Sequence, residues 1–152
     1  MTAPGLVGRV GIVVSRYNES VTTRLLAGAQ KCLDERGIPP TLRDIRWVAG
    51  AWELPLVARH LVLAAKCDVV CALGAVIRGE TPHFDFVAGE ASRGLMDIQL
   101  NTGVPVGFGL LTCDTMEQAL ARAGGDAGNK GFEAMDAALD AALAARGQHG
   151  RS

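Results

Sequence analysis

Short apolar runs alternate with longer amphipathic segments along the chain. Four runs rich in β-branched residues predict strands at residues 7–15, 41–48, 68–76 and 104–112. The segments that follow them carry apolar residues at helical spacing, which predicts helices at about residues 19–36, 53–65, 84–101, 114–123 and 131–146. The predicted order is therefore β-α-β-α-β-α-β-α-α.

Residues at the ends of these segments support the same division. Asn18 is predicted to cap the first helix, and Gly37 is predicted to end it. Asp114 or Thr115 is predicted to cap the fourth helix. The glycine-rich segment 124–131 (GGDAGNKG) then separates the last two helices.

Strands that alternate with helices pair in parallel, because each connection returns the chain to the same end of the sheet. We therefore expect a three-layer α/β/α fold with a four-stranded parallel sheet. The run 68–76 is the most apolar and is expected near the centre, whereas the run 41–48 is more polar. Residues 1–152 are expected to form one domain, with flexible tails at 1–6 and 147–152.

The composition argues against several classes of protein. Hydrophobic residues make up 49% of the 152 residues, which is enough for a sizeable core and too much for a disordered chain. The formal net charge is −1, so charge gives no support for nucleic acid or an anionic membrane as a partner. The sequence shows neither an apolar run of about 18 residues nor a signal-peptide pattern. We expect a soluble, cytoplasmic protein.

The four cysteines show no pattern typical of a metal site. Cys32, Cys67, Cys71 and Cys113 form no C-x-x-C motif and no Cys/His cluster with zinc spacing. We expect buried, reduced thiols, and the alternative is a reactive or metal-binding thiol.

Aromatic residues are few, and most lie in or beside the segments at the carboxyl ends of the predicted strands. Ligands bind at this edge of open parallel sheets. Tyr17 and Trp52 each come directly after a strand, Phe84 and Phe86 follow the third strand, and Phe108 lies in the fourth. Core packing remains an alternative for each of them singly. The positions of Tyr17 and Trp52 favour a planar ligand.

The segment 78–83 (RGETPH) connects the predicted central strand to a helix. Backbone N–H groups at such a turn can hold an anion, helped by the helix dipole, and Gly79 permits the tight turn. His83 at the helix start suits acid–base chemistry, since an imidazole exchanges protons near neutral pH. The alternatives are that His83 only caps the helix and that Arg78 is a solvated charge. The absence of a P-loop or G-x-G-x-x-G motif disfavours a nucleotide site.

Two cations flank the glycine-rich segment. Arg122 ends one predicted helix, and Lys130 starts the next. Both can be solvated surface charges, which is the usual environment of such residues. However, a lysine at a helix N-terminus opposes the helix dipole unless an anion or polar ligand lies nearby. The pair is therefore a further candidate for ligand binding.

Five motifs make the chain similar to a known family. They are SRYNESVTTRLLAGA at 15–29, GAWELPLVA at 50–58, ALGAVIRGETPHFDFV at 72–87, GVPVGFGLLTCDTMEQALARAG at 103–124 and AGNKG at 127–131. In this order they resemble the lumazine synthase (6,7-dimethyl-8-ribityllumazine synthase) family of riboflavin biosynthesis. The resemblance runs from about residue 7 to residue 143.

The resemblance implies a flavodoxin-like fold and a transferase. The implied reaction condenses 5-amino-6-(D-ribitylamino)uracil with 3,4-dihydroxy-2-butanone 4-phosphate and releases the lumazine, phosphate and water. No metal or organic cofactor is implied. The family assembles as homopentamers, often with twelve pentamers in an icosahedral capsid, so the implied partners are the small-molecule substrates and further copies of the chain, with riboflavin synthase as a further candidate.

The resemblance also implies roles for single residues. His83 is implied as the proton donor and acceptor. The implied pyrimidine-binding residues are Tyr17, Ala51, Trp52, Glu53, Ala75, Val76, Ile77 and Phe108. The implied phosphate- and butanone-binding residues are Glu80, Thr81 and Arg122, with Lys130 as an additional substrate contact. Phe108 and Arg122 are implied to reach the site from the adjacent subunit. Tyr17 and Trp52 stand where the family usually has phenylalanine.

Two other functions stay open beside this one. The first is a non-catalytic capsid or flavin-binding protein of the same fold. Loss of His83 or Arg122 would favour it, and both residues are present. The second is another flavodoxin-like enzyme that acts on a sugar phosphate. It explains the segment 78–83 but not the combination of Tyr17 and Trp52.

Overall fold

The computed structural model describes residues 8–148. Its four-stranded sheet is parallel throughout, with the strand order β2-β1-β3-β4. The strands are β1 (Val10–Ser15), β2 (Arg43–Val48), β3 (Val69–Ile77) and β4 (Val106–Cys113). The helices are α1 (Glu19–Glu35), α2 (Leu54–Leu63), α3 (His83–Thr102), α4 (Met116–Ala121) and α5 (Lys130–Ala145). The predicted number, type and order of these main elements are confirmed.

Two hydrophobic cores lie on opposite faces of the sheet, because successive side chains of a strand point to opposite faces. Helices α1, α4 and α5 cover one face, where Ile12, Leu25 and Met135 are buried. Helices α2 and α3 cover the other face, where Val13 and Leu61 are buried. The predicted three-layer α/β/α arrangement is confirmed. The apolar β3 is an inner strand, and the half-exposed β2 is an edge strand.

The glycine-rich segment forms an element that the sequence analysis did not predict. It folds into a hairpin of two short antiparallel strands, β5 (Ala123–Gly125) and β6 (Gly128–Asn129). Gly124 and Gly128 have φ angles of 106° and 83°, which glycine adopts without the strain of other residues. The hairpin matters for the site because it joins Arg122 to Lys130.

A 3-10 turn at Pro40–Leu42 delays the start of β2 to Arg43, two residues later than predicted. The Arg43 side chain is nearly buried, and its guanidinium donates to the carbonyl of Ile38 at 2.6 Å. The same guanidinium donates to the Asp34 carboxylate at 2.6 Å. These bonds link the end of α1 to the start of β2.

Residues predicted to cap α1 and α4 lie at the starts of these helices, but only one of the two side chains makes a capping bond. Thr115 caps α4, since its hydroxyl accepts a hydrogen bond from the N–H of Gln118 at 3.1 Å. Asn18 occupies the N-cap position of α1, as predicted, but its side chain does not cap the helix. Asn18 precedes α1 in a left-handed conformation, with φ 62° and ψ 49°, and its side chain makes no capping bond. An N-cap residue normally has extended backbone, from which its side chain reaches the first N–H groups of the helix. The left-handed backbone of Asn18 does not provide this geometry.

The predicted tails fall largely outside the part of the chain that the structure describes, which leaves out residues 1–7 and 149–152. Gly147 and Gln148 are described, and their N–H groups donate to the carbonyls of Ala144 and Leu143 at 3.0 and 2.9 Å. Within residues 8–148, no helix is long and apolar enough to cross a membrane.

All four cysteines are buried, as predicted, and none forms a disulfide. Burial raises the pKa of Cys32 to about 12 and that of Cys67 to about 11. Burial also raises the pKa of Cys71. These thiols therefore stay protonated at neutral pH and act as small apolar core residues.

Gly107 lies where β4 passes close to α5. A Cβ built at this residue would lie 2.6 Å from the carbonyl oxygen of Ala134, so the helix would have to move. We expect Gly107→Ala to lower the free energy of unfolding by about 1–3 kcal/mol. Urea unfolding at matched protein concentration measures the change.

Gly89→Ala is the control for this substitution. Gly89 is exposed in α3, and a Cβ there would meet no atom within 4 Å. Alanine is the better helix former, so this variant should keep its stability or gain up to about 1 kcal/mol. An unchanged free energy for the Gly107 variant would contradict the close packing of β4 against α5.

Candidate active site

Strand β3 extends past its neighbour β1 at the carboxyl edge of the sheet. The pairing of β1 with β3 ends at Val14 and Leu73, whereas β3 stays paired with β4 as far as Ile77 and Cys113. Residues 74–77 therefore have one edge without a neighbouring strand. An open cavity of about 990 Å³ lies against this edge. Its lining residues are Tyr17, Asn18, Ala49, Gly50, Ala51, Trp52, Glu53, Ala75, Val76, Ile77, Gly79, Thr81, His83, Phe84, Phe86 and Val87.

Backbone polar groups of β3 face this cavity. The N–H groups of Val70 and Arg78 donate to carbonyls at β4, so the even-numbered residues of β3 direct their polar groups toward β4. Odd-numbered residues point the other way, and the carbonyl of Ala75 accepts a hydrogen bond from the Asn18 side chain at 2.9 Å. Ile77 follows the same alternation past the end of β1. Its N–H and C=O are thus directed to the cavity, where they can bind a polar ring edge.

Three large aromatic side chains are exposed beside this edge. Tyr17 is 76% exposed, Phe86 is 68% exposed and Trp52 is 59% exposed, and all three line the cavity. The N–H of Tyr17 donates to the carbonyl of Ala49 at 3.0 Å, which fixes the backbone of Tyr17 beyond β1. Phe84 is buried instead. Core packing therefore explains Phe84 but neither Tyr17 nor Trp52, which offer flat surfaces to a planar ligand.

The turn that carries Trp52 is fixed by Glu53. A 3-10 turn at Ala51–Glu53 leads into α2, and the Glu53 carboxylate accepts a hydrogen bond from the N–H of Gly50 at 2.9 Å. Ala51, the first residue of the turn, is buried. The resemblance implies a ligand contact for Glu53, and the structure adds this bond within the turn.

The segment 79–81, called the anion segment below, has unpaired backbone donors close to the start of α3. Gly79 and Thr81 line the cavity, and Glu80 is exposed between them. Among residues 8–148, no hydrogen-bond acceptor pairs with the N–H groups of these three residues. They precede α3, whose positive dipole end favours an anion. The segment can therefore hold a phosphate through its backbone.

His83 is the first residue of α3 and lines the cavity with an exposed side chain. The cap position belongs to Pro82. The alternative that His83 serves as the helix cap is therefore wrong. The imidazole lies beside the anion segment, where it can exchange protons with a bound substrate.

The remaining predicted site residues lie in a second cavity of about 400 Å³. It is lined by Phe108, Leu110, Leu111, Thr112, Cys113, Gln118, Arg122, Ala127, Lys130 and Glu133. The N–H of Lys130 donates to the carbonyl of Arg122 at 2.7 Å across the base of the β5–β6 hairpin, which brings the two cationic residues together. Phe108 is 44% exposed on the edge strand β4. The two cavities share no lining residue, so the structure brings the predicted site residues together in two groups.

Two further ionisable residues line the second cavity, Cys113 and Glu133, and both have structural roles. Burial raises the pKa of the Cys113 thiol, and nearby Arg122 lowers it only in part, so this cysteine stays protonated at neutral pH. Glu133 lies in the first turn of α5 and offsets the unfavourable position of Lys130 at the helix start. Among the described residues, no group of three or more His, Cys, Asp and Glu side chains is placed to hold a metal ion.

Two asparagines contribute to the site in ways that the sequence analysis missed. Asn18 lines the first cavity and holds the carbonyl of Ala75. Asn129 caps α5 by accepting hydrogen bonds from the N–H groups of Gly131 and Phe132. The residue type was the only sequence feature that could have indicated these two roles, since asparagine favours turns, helix caps and left-handed backbone.

A comparison with protein families gives an independent result. The family model described as 6,7-dimethyl-8-ribityllumazine synthase matches residues 8–146. This match covers nearly the whole chain and includes every residue that lines either cavity. It agrees with the flavodoxin-like fold that the resemblance implies.

The bond from Asn18 to Ala75 can be tested by two substitutions that should destabilise the protein to different extents. Asn18→Gly keeps the left-handed backbone and loses the bond, so we expect about 0.5–1.5 kcal/mol less free energy of unfolding. Asn18→Asp turns a carboxylate oxygen toward the Ala75 carbonyl, and it should cost more than the glycine variant. Urea unfolding measures both. A glycine variant as stable as the parent chain would show that only the backbone conformation matters.

Proposed function

The chain belongs to the 6,7-dimethyl-8-ribityllumazine synthase family, and on this premise we propose that it condenses 5-amino-6-(D-ribitylamino)uracil with 3,4-dihydroxy-2-butanone 4-phosphate. The products are 6,7-dimethyl-8-ribityllumazine, phosphate and water. Membership of the family makes the chain a biosynthetic enzyme of riboflavin biosynthesis. The identity of the two substrates and the roles of the residues are the proposal.

The first cavity suits the pyrimidine substrate. A uracil ring has neighbouring N–H donors and C=O acceptors on its edge, and the exposed N–H and C=O of Ile77 can pair with them. Tyr17 and Trp52 can stack on its faces. In this proposal Ala75 and Val76 line the ring pocket, while the turn that holds Ala51, Trp52 and Glu53 contacts the ring and the ribityl chain.

The phosphate of the second substrate suits the N–H groups of Glu80 and Thr81. However, the cavity next to them is lined by neither arginine nor lysine among the residues that the structure describes. The cations that the resemblance assigns to the ligands, Arg122 and Lys130, line the other cavity. A dianion bound in this cavity would therefore find no arginine or lysine of its own chain in the cavity lining.

This separation is the observation that carries the proposal of a shared site. In a cyclic oligomer with head-to-tail interfaces, the second cavity of one chain can face the first cavity of the next. Each site then combines His83 and the anion segment of one subunit with Phe108, Arg122 and Lys130 of its neighbour. We include a homopentamer in the proposal. A capsid of twelve pentamers and association with riboflavin synthase stay predictions from the resemblance.

The reaction needs the groups that this shared site would provide. The 5-amino group of the uracil attacks the ketone, and loss of water gives an imine. Phosphate then leaves by elimination, and closure of the ring releases a second water. The nucleophile comes from the substrate, so no activated serine or cysteine is required.

His83 can serve the successive proton transfers, which typically contributes about 10²–10⁴-fold. Holding the two substrates together should supply much of the remaining acceleration. Arg122 can bind the phosphate with two hydrogen bonds and stabilise it as it leaves.

The alternative of a non-catalytic capsid or flavin-binding protein predicts no turnover. The alternative of a sugar-phosphate enzyme uses the anion segment but leaves Tyr17 and Trp52 without a role. Mixing both proposed substrates with the protein, and following lumazine fluorescence above the uncatalysed background, separates these functions. No acceleration by the folded wild-type protein would refute the proposed function.

His83→Ala tests the proton-transfer role. We expect kcat to fall by roughly 10–1000-fold, at the lower end if positioning supplies most of the acceleration. The control is His60→Ala, since His60 is exposed in the last turn of α2 and lies outside both cavities. The lumazine assay measures both variants. An unchanged kcat in a folded His83 variant would argue against its role in proton transfer.

A further inference from the structure

Arg78 contacts residues on the far side of the segment 79–83, which contains the anion segment 79–81. It directly precedes Gly79, and its guanidinium lies over the ring of Phe84 at 4.4 Å from the ring centroid. One of its nitrogens is 3.5 Å from the carboxylate of Asp85. Phe84 and Asp85 belong to the first turn of α3. The side chain thus bridges the residues immediately before and after the segment 79–83.

A third contact ties the same side chain to the neighbouring strand connection. The Nε of Arg78 donates to the Asp114 carboxylate at 3.0 Å, and the backbone N–H of Arg78 donates to the carbonyl of Cys113 at 2.8 Å. Asp114 is itself held in place, because its backbone N–H donates to the side chain of Gln118 at 2.8 Å. Asp114 therefore anchors the guanidinium from outside the segment.

Other packing around the segment is sparse. A Cβ built at Gly79 would meet no atom within 4 Å. The N–H groups of Gly79, Glu80 and Thr81 form no hydrogen bond within residues 8–148, so backbone pairing does not fix their direction. Contacts at the two ends of the segment must therefore determine where these three N–H groups point.

We propose that Arg78 is a positioning residue that aims the N–H groups of residues 79–81 at the substrate phosphate through its contacts with Phe84, Asp85 and Asp114. Arg78 lies outside the lining of the first cavity and is 47% exposed. It acts on the phosphate through the backbone of the segment. This inference rests on the proposed function only for the identity of the phosphorylated substrate, since the segment can be tested with inorganic phosphate.

A simple charge effect makes the opposite prediction for Asp114. If Arg78 only attracts the phosphate over a distance, removal of the negative Asp114 should strengthen phosphate binding. If Arg78 positions the segment, removal of Asp114 should weaken binding, because it releases one anchor of the guanidinium. The sign of the Asp114 effect therefore separates positioning from attraction.

The experiment compares two arginine–aspartate pairs in the assembled protein. The variants are Arg78→Ala, Asp114→Ala and the double variant, and the matched controls are Arg93→Ala and Asp97→Ala. Arg93 and Asp97 form an exposed pair at 2.9 Å in α3 and line neither cavity. Binding of inorganic phosphate is measured by calorimetry. The KM of each substrate and kcat are measured in the lumazine assay, and light scattering verifies the assembly of each variant.

We expect Arg78→Ala and Asp114→Ala each to weaken phosphate binding by about 3- to 10-fold, because exposed ion pairs and cation–π contacts are individually modest. The KM of the phosphorylated substrate should rise by the same factor, and the KM of the pyrimidine should not change. The double variant should be no worse than the more damaging single variant, since both remove one interaction. Arg78→Lys should restore binding only in part, because lysine lacks the planar guanidinium.

Tighter phosphate binding in Asp114→Ala, additive effects in the double variant, or equal losses in the control pair would each overturn the proposal. Full rescue by Arg78→Lys would do the same, because it would show that the charge alone is sufficient. If the wild-type protein binds phosphate in this pattern but forms no lumazine, the positioning role stands and the proposed function fails.

Discussion

The unequal length of two neighbouring parallel strands determines where this protein can bind a ligand. Pairing between β1 and β3 stops at Val14 and Leu73, while β3 continues to Ile77 along β4. Unpaired backbone polar groups are costly when buried, so this edge must be satisfied by side chains, solvent or a ligand. Asn18 satisfies the carbonyl of Ala75, and Ile77 is left facing the cavity. The aromatic side chains and the anion segment surround this one edge.

A second constraint comes from the β5–β6 hairpin. Its glycines allow a reversal between α4 and α5, and the backbone bond from Lys130 to Arg122 brings two cationic residues together. They lie in a cavity separate from the anion segment. In the proposed function each cavity is therefore one half of a binding site. The proposed pentamer joins a half of one subunit to the other half of its neighbour, which makes assembly a requirement for phosphate binding.

The sequence predicted the main elements because their signals were local: apolar periodicity, a capping threonine at Thr115 and breaker glycines. The rule that ligands bind at the carboxyl ends of parallel strands also pointed to Tyr17, Trp52 and His83, which line the first cavity. The sequence did not reveal the bond of Asn18 to Ala75, because it joins residues far apart in the chain. The hairpin was also missed, since two very short strands leave no periodic pattern. The resemblance implied that Phe108 and Arg122 belong to the neighbouring subunit's site, but the division between two cavities depends on tertiary packing, which no local motif encodes.

Co-expression of a His83→Ala chain with an Arg122→Ala chain tests the shared site most directly. Each variant alone should assemble with every site impaired. In randomly mixed pentamers about one interface in four pairs an intact His83 with an intact Arg122, so activity should recover toward roughly a quarter of the wild-type value. Mass spectrometry of the intact assemblies verifies the mixing. Activity no higher than the average of the two separate variants would contradict a site shared between neighbouring subunits.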